Sequence, residues 1–93
     1  MSTQKVWFVT GASQGLGLSL VKQLLATGYA VAATSRKIAD LQQEVGDHPA
    51  FLPLQMDLKN ESSVQAAITA TIAKFGRIDV VANNAGYGMI GAL

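Results

Sequence analysis

Short, continuous apolar runs alternate along this chain with stretches in which apolar residues recur every three or four positions. Val6-Trp7-Phe8-Val9 is too brief for a helix and rich in residues that suit a pleated strand, with Trp7 expected in the core. Beyond it, Leu18, Val21 and Leu25 fall at i, i+3 and i+7, and Leu20 and Leu24 widen the stripe. That spacing predicts an amphipathic helix from about Gly15 to Thr27, with Gly28 at the expected left-handed C-cap. Ala30 to Thr34 reads as a second buried strand, ending at Ser35-Arg36-Lys37. A short helix, roughly Ile38 to Val45, closes at Gly46-Asp47, and His48-Pro49 forms a solvated loop into a third strand, Phe51 to Met56. Asn60 is a favourable N-cap, with Glu61 well placed in the first turn that follows. Val64, Ala67, Ile68, Thr71, Ile72 and Phe75 then keep helical spacing and form a predicted core face up to Gly76. A fourth strand, Ile78 to Ala82, leads into Asn83-Asn84-Ala85-Gly86 and a tail from Tyr87 to Leu93.

The predicted order is βαβαβαβ, without repeats, linkers or low-complexity segments. Strands that are apolar throughout, rather than alternating, are those that a parallel sheet buries on both faces. Right-handed crossovers and the usual winding of such sheets give strand order 3-2-1-4. The expected fold class is therefore α/β: the N-terminal half of a Rossmann-type parallel sheet, with about three helices, across residues 1–93. A sheet of this kind normally continues past its fourth strand. The expectation is thus an open edge and a face without full cover, hence self-association through the exposed edge.

Composition narrows the classes of function. With 49% hydrophobic and 14% charged residues, the chain is no disordered tail, and 93 residues make one domain or part of one. A net charge of +1 gives no basic field, which argues against nucleic acid as the partner. Cysteine is absent, which excludes disulfides and thiolate metal sites, and no metal site is expected. The run after Lys5 is too short for a signal sequence or a membrane span, so the expected setting is cytoplasmic, away from membranes.

The candidate chemistry lies first in Lys5 to Leu20. The strand stops at Thr10-Gly11, and Gly11, Gly15 and Gly17 lead directly into the helical pattern. Strand, glycine-rich turn and helix together suit a phosphate group: glycines allow close backbone approach, and the first helical turn offers unpaired N–H groups and a positive dipole end. The alternative is an ordinary strand-helix turn.

Thr10-Gly11-Ala12-Ser13-Gln14-Gly15-Leu16-Gly17 resembles the TGxxxGxG cofactor motif of the short-chain dehydrogenase/reductase family. Asn83-Asn84-Ala85-Gly86 resembles that family's NNAG motif at the expected place, and Asp57-Leu58 resembles its acidic-aliphatic pair after the third strand. The resemblance implies that Gly11, Ser13, Gln14, Gly15, Leu16 and Gly17 form the phosphate loop. It places Asp57 and Leu58 at the adenine ring, and the backbone of Asn84, Ala85 and Gly86 along the ribose. Ser13 could instead merely begin the helix, and Asp57 or the asparagine pair could be plain turn residues.

Cofactor choice rests on the end of the second strand. Dinucleotide folds that take NAD place an acid about 20 positions beyond the glycine loop, where it bonds the ribose 2′-hydroxyl. Here that place is Thr34-Ser35-Arg36-Lys37, which holds no carboxylate. Arg36 can offer its planar fork to a 2′-phosphate, Ser35 a hydrogen bond, and Lys37 further positive charge, so NADP is expected over NAD. The alternative makes Arg36 and Lys37 a solvated helix start, although a cation there has the wrong sign for the dipole.

The resemblance implies a parent reaction in which hydride transfer interconverts an alcohol and a carbonyl in an unidentified substrate. Family members use a serine and a YxxxK pair beyond the fourth strand. In this sequence the tyrosines are Tyr29 and Tyr87, with Ala33 and Gly91 four residues on, so no YxxxK occurs. No catalytic residue is assigned, and these 93 residues alone are expected to lack dehydrogenase activity. A non-catalytic nucleotide-binding module, or an inactive truncated product, is the alternative.

Overall fold

In the computed structural model, which describes residues 4–11, 15–57 and 59–83, the predicted elements form in the predicted order. They are β1 (Val6–Thr10), α1 (Gly15–Thr27), β2 (Ala30–Ser35), α2 (Ile38–Val45), β3 (Phe51–Gln55), α3 (Glu61–Phe75) and β4 (Val80–Asn83). All pairings are parallel and the strand order is β3-β2-β1-β4, a Rossmann-type α/β arrangement. In register, Trp7 lies between Val31 and Val80, Thr10 faces Asn83, and Ser35 faces Gln55. The C-terminal ends of all four strands therefore reach the same edge of the sheet.

The period of two along β1 divides the core. Val9 joins Val21, Leu24, Leu25, Val31, Ala33, Leu41 and Phe51 on the face covered by α1 and α2. Phe8 joins Ala32, Met56 and Ala67 on the face covered by α3. Every residue of β2 is buried. That explains why its apolar positions are continuous, where a strand with one wet face would alternate. Trp7 is half-buried and rests against Tyr29, with ring centroids 6.1 Å apart.

Helix ends follow local chemistry. The Asn60 side chain accepts a hydrogen bond from the Ser63 amide at 3.2 Å and caps α3. At the other end Gly76 takes φ 89°, a left-handed conformation strained for any residue with a Cβ, and its amide bonds to Ile72 O at 2.7 Å. The amides of Gly28 and Tyr29 both reach Leu24 O, at 3.2 and 3.1 Å, and so end α1.

Four details differ from the sequence reading, the first being that β3 ends at Gln55 rather than at Met56. β2 runs on to Ser35, whose carbonyl accepts from Met56 N at 3.0 Å and extends the β3 pairing. β4 begins at Val80 and ends at Asn83, later than predicted, because the Asp79 carboxylate occupies the Val6 amide at 2.8 Å before the regular ladder starts. The predicted core face of α3 is also narrower: Ala67 and Thr71 are buried, whereas Ile72 is 46% exposed. Ile72 lies about 100° round the helix from Thr71, which rolls it off the sheet.

Candidate functional site

The predicted site residues that the structure describes lie along the edge formed by the strand C-termini. Following β1, Gly11 is exposed with φ 64°, a turn that a side chain would oppose. Gly15, Leu16 and Gly17 form the first turn of α1, which contains no acidic residue to repel an anion. Gly17 is buried, whereas Leu16 is 84% exposed, an unusual setting for a large apolar side chain beside a helix N-terminus. Ser13, Gln14, Leu58, Asn84, Ala85 and Gly86 lie outside the described residues. The pairing of Thr10 with Asn83 sets the strand end before Gly11 beside the strand end before Asn84.

The turn after β2 is held by its own serine. The buried Ser35 hydroxyl accepts a hydrogen bond from the Lys37 amide at 3.0 Å, so its proton remains available for donation. Between these two residues, Arg36 is exposed and its guanidinium has no partner among the described residues. Lys37 is exposed too, and occupies the N-cap position of α2 without a side-chain capping bond.

After β3, one oxygen of the exposed Asp57 carboxylate accepts from Lys59 N at 3.0 Å, and the other has no partner among the described residues. The Asp57 backbone is tied on both sides. Its amide donates to Ser63 Oγ at 3.0 Å, and its carbonyl accepts from Asn60 N at 2.9 Å. The edge thus offers, in spatial order from β3 to β1, a carboxylate acceptor, a hydroxyl with two cations, and a glycine turn opening a helix. An acceptor, cations and a glycine turn before a helix are the kinds of group that suit an adenine nucleotide carrying phosphates. Among the described residues, no cluster of histidine, cysteine and carboxylate side chains could hold a metal ion. No described helix is long and apolar enough to cross a membrane.

Sequence reasoning did not single out Ser63 or Asp79. Ser63 carried a weak signal, as a hydroxyl three residues after the N-cap. Asp79 stands at the opposite end of the sheet, and its carboxylate accepts from Val6 N and from Arg77 Nε, both at 2.8 Å. The Val6 amide, and then the Arg77 guanidinium, hold this carboxyl below its ordinary value of 3.8, against an opposing effect of partial burial.

Comparison with known proteins agrees with this geometry. Residues 5–93 match the short chain dehydrogenase family. Oxidoreductase BOA17 of Botryotinia fuckeliana is 41% identical over 92 residues, which are 96% of this chain and 33% of that protein. The 2-(R)-hydroxypropyl-CoM dehydrogenase of Xanthobacter autotrophicus is 40% identical over 87 residues, 88% of this chain and 35% of that one. Among solved structures, a short-chain dehydrogenase from Streptomyces avermitilis superposes with a TM-score of 0.82 at 33% identity, covering 90% of this chain and 31% of that chain. A 3-ketoacyl-(acyl-carrier-protein) reductase from Brucella melitensis, complexed with NADH, gives a TM-score of 0.75 at 33% identity, covering 86% and 34%.

A parallel sheet wound 3-2-1-4, with a glycine turn opening its first helix, is a Rossmann-type cofactor-binding fold. The chain belongs to the short-chain dehydrogenase/reductase family. It spans about a third of the length of the relatives described above. Members of this family bind a nicotinamide dinucleotide, NAD or NADP.

Proposed function

We propose that this chain is the N-terminal, NADP(H)-binding portion of an oxidoreductase that interconverts an alcohol and a carbonyl. The observation that carries the NADP preference is Arg36: an exposed guanidinium without a partner among the described residues, at the end of β2, where the stretch Thr34 to Lys37 holds no carboxylate to repel a phosphate. Ser35 supports the same reading, because its hydroxyl accepts from the Lys37 amide and keeps its own proton to donate. Arg36 would take the 2′-phosphate in a charge-assisted pairing, with Lys37 adding positive charge.

The other described residues fit the rest of the dinucleotide. Gly11, Gly15 and Gly17 would receive the pyrophosphate, with the acid-free first turn of α1 directed to it. The exposed Leu16 would be covered by the bound molecule. Asp57 would accept the adenine amino group on the oxygen that has no partner among the described residues. Ser13, Gln14, Leu58, Asn84, Ala85 and Gly86 belong to the same proposed set through their motifs. Bound there, NADPH supplies the hydride, and these residues bind and orient it. The proposal extends to assembly: among the described strands β4 pairs only with β1, and its outer edge is a template for another chain.

The test is the affinity of the chain for NADPH and NADH before and after Arg36→Ala. Wild type should favour NADPH, and the substitution should weaken NADPH alone, by on the order of 1.5–3 kcal/mol for a charged hydrogen bond. Equal losses for both cofactors, or an initial preference for NADH, would refute the role of Arg36.

A further inference from the structure

The carboxylate proposed to meet adenine is not held by its own strand. Asp57 lies just beyond the end of β3, exposed, where the ladder no longer fixes the backbone. Its amide donates instead to the hydroxyl of Ser63, six residues further on, at 3.0 Å. Ser63 in turn is anchored: it is half-buried in the first turn of α3, and its own amide donates to the Asn60 cap at 3.2 Å. The Asn60 amide closes the loop onto the Asp57 carbonyl at 2.9 Å. With one Asp57 oxygen committed to the Lys59 amide, the rotation of the carboxylate is restricted and the other oxygen is left without a partner among the described residues.

We infer that Ser63 is a positioning residue for base recognition: its hydroxyl fixes the Asp57 backbone so that the remaining carboxylate oxygen meets the exocyclic amino group of adenine. This rests on the dinucleotide-binding role proposed above. Ser63 does not touch the ligand. It acts through Asp57, and it makes the base contact selective for a base that carries an exocyclic amino donor. The bond from Ser63 N to Asn60 Oδ1 uses only main chain at position 63, so loss of the hydroxyl leaves the cap of α3 in place.

The probe is a pair of ligands that differ at one group: NADPH, and its purine analogue, in which hydrogen replaces the adenine amino group. A carboxylate oxygen accepts from the amino group of the first and finds no donor at that position in the second. With the full chain, wild type should bind NADPH more tightly than the analogue, by about tenfold for a hydrogen bond to a charged acceptor. In Ser63→Ala this ratio should fall towards one, as it should in Asp57→Ala, and Ser63→Thr, which keeps an Oγ, should restore it. A purely structural role would weaken both ligands equally and leave the ratio unchanged, and that result would overturn the inference. So would a wild-type ratio near one. Failure of wild type to bind either ligand would instead remove the dinucleotide reading on which the inference rests. Melting temperatures of the variants confirm that each is folded at the temperature of the titration.

Discussion

Val6 and Asp79, 73 positions apart in sequence, hold each other twice: the Val6 amide donates to the Asp79 carboxylate at 2.8 Å, and the Asp79 amide donates to the Val6 carbonyl at 2.9 Å. Arg77 completes the clamp, with Nε on the same carboxylate oxygen and a second nitrogen on the Gln4 carbonyl at 3.1 Å. The start of β1 is thereby fastened to the start of β4, and the two strands enter the sheet in a set register. Three residues after the Val80 pairing, that register brings Asn83 opposite Thr10.

The clamp should make stability depend on acid pH. The folded-state pKa of Asp79 is lowered from its ordinary value of 3.8, so between the two values the unfolded chain binds more protons and stability rises with pH. The contribution is complete above 3.8 and is lost as pH falls through the folded value. Wild type should therefore melt above Asp79→Asn at neutral pH, with the gap closing in the acid range. Melting curves from about pH 7 to about pH 2 test this, and a gap that stays constant across the range would contradict it.

Leu41 is the largest fully buried side chain among the described residues and joins α2 to the core beneath α1. Leu41→Ala should destabilise by about 2–5 kcal/mol, through lost transfer energy and the cavity left behind. Urea unfolding gives the figure, and a loss well under 1 kcal/mol would mean that α2 packs more loosely than the structure shows.

Asn60→Ala removes the capping acceptor of the Ser63 amide and should lower stability by about 1 kcal/mol. Asn60→Asp keeps the acceptor and adds a favourable charge at the helix start, so it should be neutral or slightly stabilising. Equal losses in the two variants would show that the side-chain cap is not what holds this end of α3.

Self-association through β4 should depend on concentration and respond to substitutions at the edge. Sedimentation of the 93-residue chain at tens of micromolar should show species heavier than the monomer. Val80→Lys, on the half-exposed edge strand, should shift the distribution towards monomer. A single monomeric boundary for the unmodified chain would end the proposal.

The apolar pattern revealed the elements, because β2 is buried on both faces and the helical stripes match a fixed period, and right-handed crossovers then gave the winding. α2 and its bounds, Ile38 to Val45, were legible for the same reason. What stayed hidden shares a different physical character. Asp79 and Ser63 act by side-chain bonds to main-chain atoms elsewhere, and such bonds follow from three-dimensional register rather than from local spacing. Ile72 keeps helical spacing with its neighbours, yet it lies about 100° round α3 from the buried Thr71 and is exposed. At the site, the glycine turn and Arg36 were readable from residue type and place, whereas the internal bond of Ser35 to Lys37 was not.

That last bond has an evolutionary consequence. Because the Ser35 hydroxyl bonds the Lys37 amide across this turn, the exposed side chain at position 36 has no hydrogen bond or ion pair to the described residues to give up. A replacement there needs no compensating change in the core. Position 36 can therefore drift or be selected at almost no risk to folding, and descendants of this sequence can explore new charge at the strand end one codon at a time.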